Sequence, residues 1–113
     1  MDFYLPINKN NEFRRIYSRG KSFVSPVLVS YIMKSRGTDI YVGITTSKKI
    51  GNAVKRSRAR RVIREALRSF RGELKPGYSF VFVARSKTTA VKSTYVRRAM
   101  LFQLKKAGAL KLQ

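Results

Sequence analysis

One stretch, residues 48–71 (KKIGNAVKRSRARRVIREALRSFR), constrains the fold of this chain more than any other. It opens as a Gly-containing turn and continues as a helix. Asn52 is placed to cap it, since its side-chain oxygen can accept a bond from an otherwise unpaired first-turn amide. Val62, Ile63, Ala66, Leu67 and Phe70 then recur at i, i+1, i+4, i+5 and i+8, which is one apolar helix face. Arg61, Arg64, Arg68 and Ser57 lie opposite, with Arg60 and Arg71 along one edge, and Gly72 supplies the stop. Lys55, Arg56 and Arg58 precede the apolar stripe and project past the core it covers. The helix therefore has two jobs: its later turns anchor, and its outer face and beginning present cations.

Arg56, Arg60, Arg64 and Arg68 form an i,i+4 ladder, with Glu65 the only acid in the helix. Like charges at that spacing repel by about 0.2–0.5 kcal/mol per pair in an isolated helix. A surface that served solubility alone would mix its signs, so this one calls for a polyanion to supply the counter-charge. The whole chain repeats the bias: 26 Lys and Arg against 5 Asp and Glu, a net charge of +21 on 113 residues. Because 43% of the residues are apolar and fall in strand-like runs, this is a folded single domain and not a charged tail. Nucleic acid is the first partner such a charge suggests. A membrane is not expected, because no segment joins a basic face to large exposed apolar residues and no apolar run approaches 20 residues. Without a signal-peptide pattern, the cytoplasm is the default location.

Catalysis by the chain itself is poorly supported. Zero Cys and zero His remove the usual zinc ligand sets, Cys–His nucleophiles and His general bases. The five acids, Asp2, Glu12, Asp39, Glu65 and Glu73, are spread so widely that no local pair suggests a metal or acid–base site. No catalytic residue, bound metal or cofactor is expected in the protein.

Around the basic helix, residues 1–7 are a short lead-in, and residues 8–19 read as a helix capped by Asn8 or Asn10 and stopped at Gly20. Phe13, Ile16 and Tyr17 share one face of it. Ile16 is core; Phe13 and Tyr17 are either core or, beside a basic surface, platforms for stacking bases. Residues 27–33 form the main strand, with Val27, Val29, Tyr31 and Met33 on one side and Leu28, Ser30 and Ile32 on the other. A polar turn at residues 35–39 reads as a hairpin into a strand at residues 40–46. Residues 78–84 (YSFVFVA) read as a central strand. A last helix, capped by Ser93 or Thr94 and ended by Gly108, carries Tyr95, Ala99, Phe102 and Lys106 as a stripe widened by Val96 and Leu101, read as core. The order is therefore helix, two or three strands, basic helix, strand, helix, which makes a two-layer α/β (α+β) sandwich, a small sheet covered by helices.

The stretch SKKIGNAVKRSRARRVIREALR resembles the signature region of the protein subunit of bacterial ribonuclease P. That family has a Lys-rich turn with Gly, then an Arg-Asn-Arg motif continued by further basic residues on the same helix. Here the turn is Lys48, Lys49, Gly51 and Asn52, and the motif is Arg56-Ser57-Arg58, continued by Arg60, Arg61, Arg64 and Glu65. Ser57 departs from the usual Asn but keeps a donor and an acceptor. Phe13, Tyr17, Gly20, Tyr31, the run FVFVAR and the closing helix before KKAG also fit, so the resemblance covers nearly the whole chain.

The resemblance implies the order αβββαβα around a small mixed sheet, with a left-handed strand–helix–strand crossover against the right-handed rule that holds for about 98% of such units. It also implies a catalytic RNA subunit that, with Mg²⁺, removes the 5′ leader of precursor tRNA. The expected backbone contacts to that RNA are Lys48, Lys49, Asn52, Lys55, Arg56, Ser57, Arg58, Arg60, Arg61, Arg64 and Arg68. The expected leader contacts are Phe13, Tyr17, Tyr31 and Arg60. Two other readings compete: a small basic ribosomal or other structural RNA-binding protein, which composition alone favours, and a protein-only nuclease, which would need clustered acids or a His.

Overall fold

The computed structural model describes residues 3–111. Its most apolar run, β5 (Tyr78–Ala84), lies at the centre of a five-stranded mixed sheet ordered β1-β4-β5-β3-β2. The neighbours are β1 (Leu5–Pro6), β2 (Lys21–Val24), β3 (Leu28–Lys34) and β4 (Tyr41–Thr45). β5 runs antiparallel to β3 and parallel to β4. Helices α2 (Ala53–Arg68) and α3 (Ser93–Ala107) cover one face; α1 (Asn10–Arg19) covers the other. The expected order holds, with the lead-in adding a two-residue edge strand parallel to β4.

The hairpin expected at residues 35–39 does not form, because β5 enters between the two strands it would have joined. The Ser35 N–H donates to the Gly77 carbonyl at 2.6 Å, and the Gly77 N–H donates to the Asp39 carbonyl at 3.1 Å. Gly77 has φ +83°, and a Cβ there would stand 2.7 Å from the Gly37 carbonyl oxygen. Only glycine fits that wedge at no cost.

The larger core lies under α2 and α3. Val62, Ile63, Ala66, Leu67 and Phe70 are all buried as the spacing predicts, against Leu28, Ile32, Val42, Phe80 and Phe82. α2 is capped as expected, the Lys55 N–H donating to Asn52 Oδ1 at 3.0 Å. It ends at Ser69 instead of Gly72; the Ser69 hydroxyl closes the last turn on the Ala66 carbonyl at 2.7 Å. The other two caps differ. Lys9 and Lys92, neither with a side-chain bond, stand where Asn8 or Asn10 and Ser93 or Thr94 were expected. Tertiary packing, not capping, holds those two helix starts.

α3 also packs on a different face from the expected one. Val96, Met100, Gln103 and Leu104 are buried, while Tyr95 is 54% and Phe102 63% exposed. Gln103 decides the register. Its Nε2 donates to the Phe23 and Leu28 carbonyls, both at 3.0 Å, and its Oε1 accepts from the Ser30 hydroxyl. A buried amide with all its partners fixes the helix against β2 and β3 more specifically than a ring would. Gln103→Leu keeps the volume but strips those partners, so urea unfolding should show a loss of about 1–3 kcal/mol. An unchanged midpoint would mean the network contributes nothing net.

Candidate nucleic-acid interface

The position of α2 follows from its apolar side, and the position of its cations follows from α2. With Ala59, Val62, Ile63, Ala66 and Leu67 buried, Ser57, Arg61, Arg64 and Arg68 are exposed on the far side. Arg56 and Arg60 lie half-buried along one edge, and Arg58 is exposed along the other. Among the described residues, none of these guanidiniums forms an ion pair with a carboxylate. Arg58 is the one with an internal task. Its Nε donates to the Thr89 carbonyl at 2.9 Å, tying α2 to the short turn Ser86–Ala90. Lys48, Lys49, Asn52 and Lys55 are exposed at the mouth of the helix, where a 3-10 turn (Lys48–Ile50) and Gly51 with φ +135° lead into it. First-turn amides and a row of fixed guanidiniums together suit phosphate groups.

The aromatic residues gather on the opposite face of the sheet. Gly43, Val81 and Tyr31 form one row across β4, β5 and β3. The missing side chain at Gly43 makes room for Phe13, whose Cε1 lies 2.5 Å from where a Cβ would stand. Phe13 is therefore packed on the sheet, with Tyr17 stacked beside it at 6.4 Å between ring centroids. Tyr17 meets Tyr31 edge-on at 4.8 Å, and its hydroxyl donates to Thr45 Oγ1 at 3.4 Å. Tyr31 and Tyr41 both pack half-buried on this side. Tyr17, at 39% exposed, is the ring of the trio that a ligand reaches most readily.

The next row, Thr45, Val83, Val29 and Val24, is only partly covered and continues the apolar floor to the edge of the sheet. Since Thr45 ends β4 and Lys48 begins the turn into α2, the chain itself joins this floor to the basic helix. Arg60 stands apart from the three rings, on the helix that covers the other face, and makes no ring contact with them among the described residues.

Two sets of cations were not singled out by the sequence. Arg85 and Lys87 flank a shallow cleft with Val24, Ser25 and Pro26, and Arg85 Nη1 donates to the Ser25 carbonyl at 3.1 Å. Arg15, Arg19, Lys34 and Arg36 surround a cavity of about 480 Å³ beneath α1, floored by Ile7, Ile16, Met33 and Tyr41. The signal was there in the clustering of Arg14, Arg15 and Arg19 on α1, but it is overshadowed by the denser run on α2. The exposed Tyr95 and Phe102 on a basic helix also correct the expectation that no segment joins a basic face to large exposed apolar residues. Among the described residues, no helix is long and apolar enough to cross a membrane.

Comparison with known proteins agrees with this geometry. The family model described as Ribonuclease P matches residues 4–108. A Clostridium beijerinckii ribonuclease P protein component is 43% identical over 109 residues, covering 90% of this chain and 87% of that protein. A Clostridioides difficile ribonuclease P protein component is 46% identical over 80 residues, 70% of each chain. Among solved structures, the Staphylococcus aureus RNase P protein superposes with TM-score 0.82 at 27% identity, over 98% of this chain and all of that one. The Thermotoga maritima RNase P protein does so with TM-score 0.77 at 27% identity, over 89% of this chain and 96% of that one.

Proposed function

The chain belongs to the ribonuclease P protein family, and from that premise we propose that it docks on the catalytic RNA subunit through α2 and holds the 5′ leader of precursor tRNA against the aromatic floor under α1. The observation that carries this reading is the outer side of α2: Arg61, Arg64 and Arg68 are exposed, without an ion pair among the described residues, on a helix whose inner side is locked into the core. Contacts of that kind position an RNA without reading its sequence. Lys48, Lys49, Asn52, Lys55, Arg56, Ser57 and Arg60 extend the same surface toward the helix mouth. Arg58 adds to the local field while holding the 86–90 turn.

Bond cleavage is assigned to the RNA and to Mg²⁺ held by the RNA. The protein supplies what its side chains can: neutralisation between two polyanions and a fixed path for the leader. Its work is cytoplasmic, where precursor tRNA is made and trimmed. Tyr17 is the stacking residue of the leader site, Tyr31 supports it edge-on, and Phe13 is the packed base of the cluster.

The test is reconstitution at low Mg²⁺ with the catalytic RNA, with and without this chain, on precursor tRNA. Cleavage should depend on the protein, and the protein alone should not cleave; RNA-free cleavage would revive the nuclease reading. With Tyr17→Ala, the preference for leader-bearing over leaderless tRNA should fall about tenfold, from the range for removing one base stack. Unchanged discrimination removes Tyr17 from the site.

A further inference from the structure

We propose that the outward face of α3 is a second RNA-contact surface, on which Tyr95 and Phe102 stack unpaired bases of the same catalytic RNA that lies on α2. The inference rests on the RNA-docking reading of α2. A lone exposed ring on a protein surface needs no explanation. These two differ because each carries a cation against its ring: Arg98 Cζ lies 5.7 Å from the Tyr95 centroid, and Lys106 Nζ lies 5.3 Å from that of Phe102. Seven residues separate the rings, so they stand on one side of the helix roughly 10 Å apart along its axis. That distance suits two splayed bases better than two adjacent ones in a continuous stack.

Nothing in the fold lets this stripe turn inward. Gln103 pins one flank of α3 to β2 and β3, and Arg97 pins the other to α2, its Nε 3.0 Å from Ser69 Oγ and its Cζ 5.3 Å from the Phe70 centroid. The rings are held outward by polar contacts elsewhere on the helix.

Charge selects the occupant. No Asp or Glu follows Glu73 in the sequence, so the whole of α3 presents cations only. A base stacked on either ring places its phosphate beside Arg98 or Lys106, a pairing of aromatic and cation that single-stranded RNA uses well. An anionic membrane is disfavoured because the continuous apolar side of α3, Val96, Met100 and Leu104, is already spent on the core. Because α2 and α3 pack on each other over the same sheet face, RNA lying on Arg61 and Arg64 meets α3 as its next surface.

The chain has no Trp, so Phe102→Trp installs a sole reporter at the site. Titrating the full-length variant with catalytic RNA should quench its emission to a plateau at one RNA per protein. In parallel, Tyr95→Ser/Phe102→Ser should keep the wild-type unfolding midpoint, since both rings are exposed. It should bind the RNA roughly thirtyfold more weakly, from the low end of the stacking range, with an unchanged salt slope. Full affinity in the double variant, or RNA binding without quenching, overturns the inference and leaves the α2 reading intact. Quenching that grows with protein concentration alone, or an equal response to polyglutamate or anionic phosphatidylserine vesicles, overturns it in favour of self-association, an acidic protein or a membrane. Failure of the wild-type chain to bind the RNA at all sinks the α2 reading and this inference together.

Discussion

Replacing Arg61, Arg64 and Arg68 together by Ala is expected to lower affinity for the catalytic RNA about a hundredfold or more at moderate salt. It should also reduce the slope of log K against log salt by about two to three units. The slope is the sharper readout, because each phosphate that the protein no longer neutralises keeps about 0.7–0.9 of a counterion that binding would have released. Folding should be unaffected: all three are exposed, Ala favours helix, and relief of the i,i+4 repulsion between Arg64 and Arg68 offsets any change in packing. Filter binding across a salt series, alongside a thermal melt of each protein, checks both statements. A weakened complex with an unchanged slope would mean that these arginines act through something other than phosphate. Arg58→Ala is the instructive contrast. Because Arg58 holds the Thr89 carbonyl, its removal should loosen the 86–90 turn as well as weaken RNA binding.

The α2 surface was readable from sequence because every signal that defines it is local: cap, apolar spacing and charge all fall within one continuous helix. The same holds for β5, whose apolar run, interrupted by Ser79 alone, marks a strand buried on both faces. What was not readable depends on partners distant in the chain. The 35–39 turn has the composition of a hairpin, and only the arrival of Gly77 between its flanking strands shows that it is not one. α3 was misread by one helical face because hydrophobicity ranks Phe102 above Gln103, while the strand carbonyls it meets rank them the other way. In the candidate site, Phe13, Tyr17 and Tyr31 do come together, but the sequence had no means of showing that Gly43 seats Phe13 and leaves Tyr17 outermost. Nor did it show that Arg60 lies on the helix across the sheet from them.

Phe82→Ala tests how the charge that serves function bears on the fold. Phe82 is fully buried, its ring stacked at 6.0 Å on that of Phe80, in the core that seats α2 and α3. Truncating it should cost about 3–5 kcal/mol, the range for a large buried ring whose cavity collapses only in part. Domains of this size hold on the order of 5–15 kcal/mol in total, and self-repulsion at a net charge of +21 works against the compact state. The variant should therefore melt at a much lower temperature than the parent chain in low-salt buffer, as read by far-UV circular dichroism. An anion that binds only the folded chain adds RT ln(1 + [L]/Kd), about 2.7 kcal/mol at a hundredfold excess over Kd. Inorganic pyrophosphate should thus raise that melting midpoint at concentrations where sodium chloride of equal ionic strength does not. The reason is that the fixed guanidiniums of α2 exist as a site only when its inner face is docked. Equal rescue by both salts would show that screening alone is at work, and that folding and phosphate capture are not coupled through this helix.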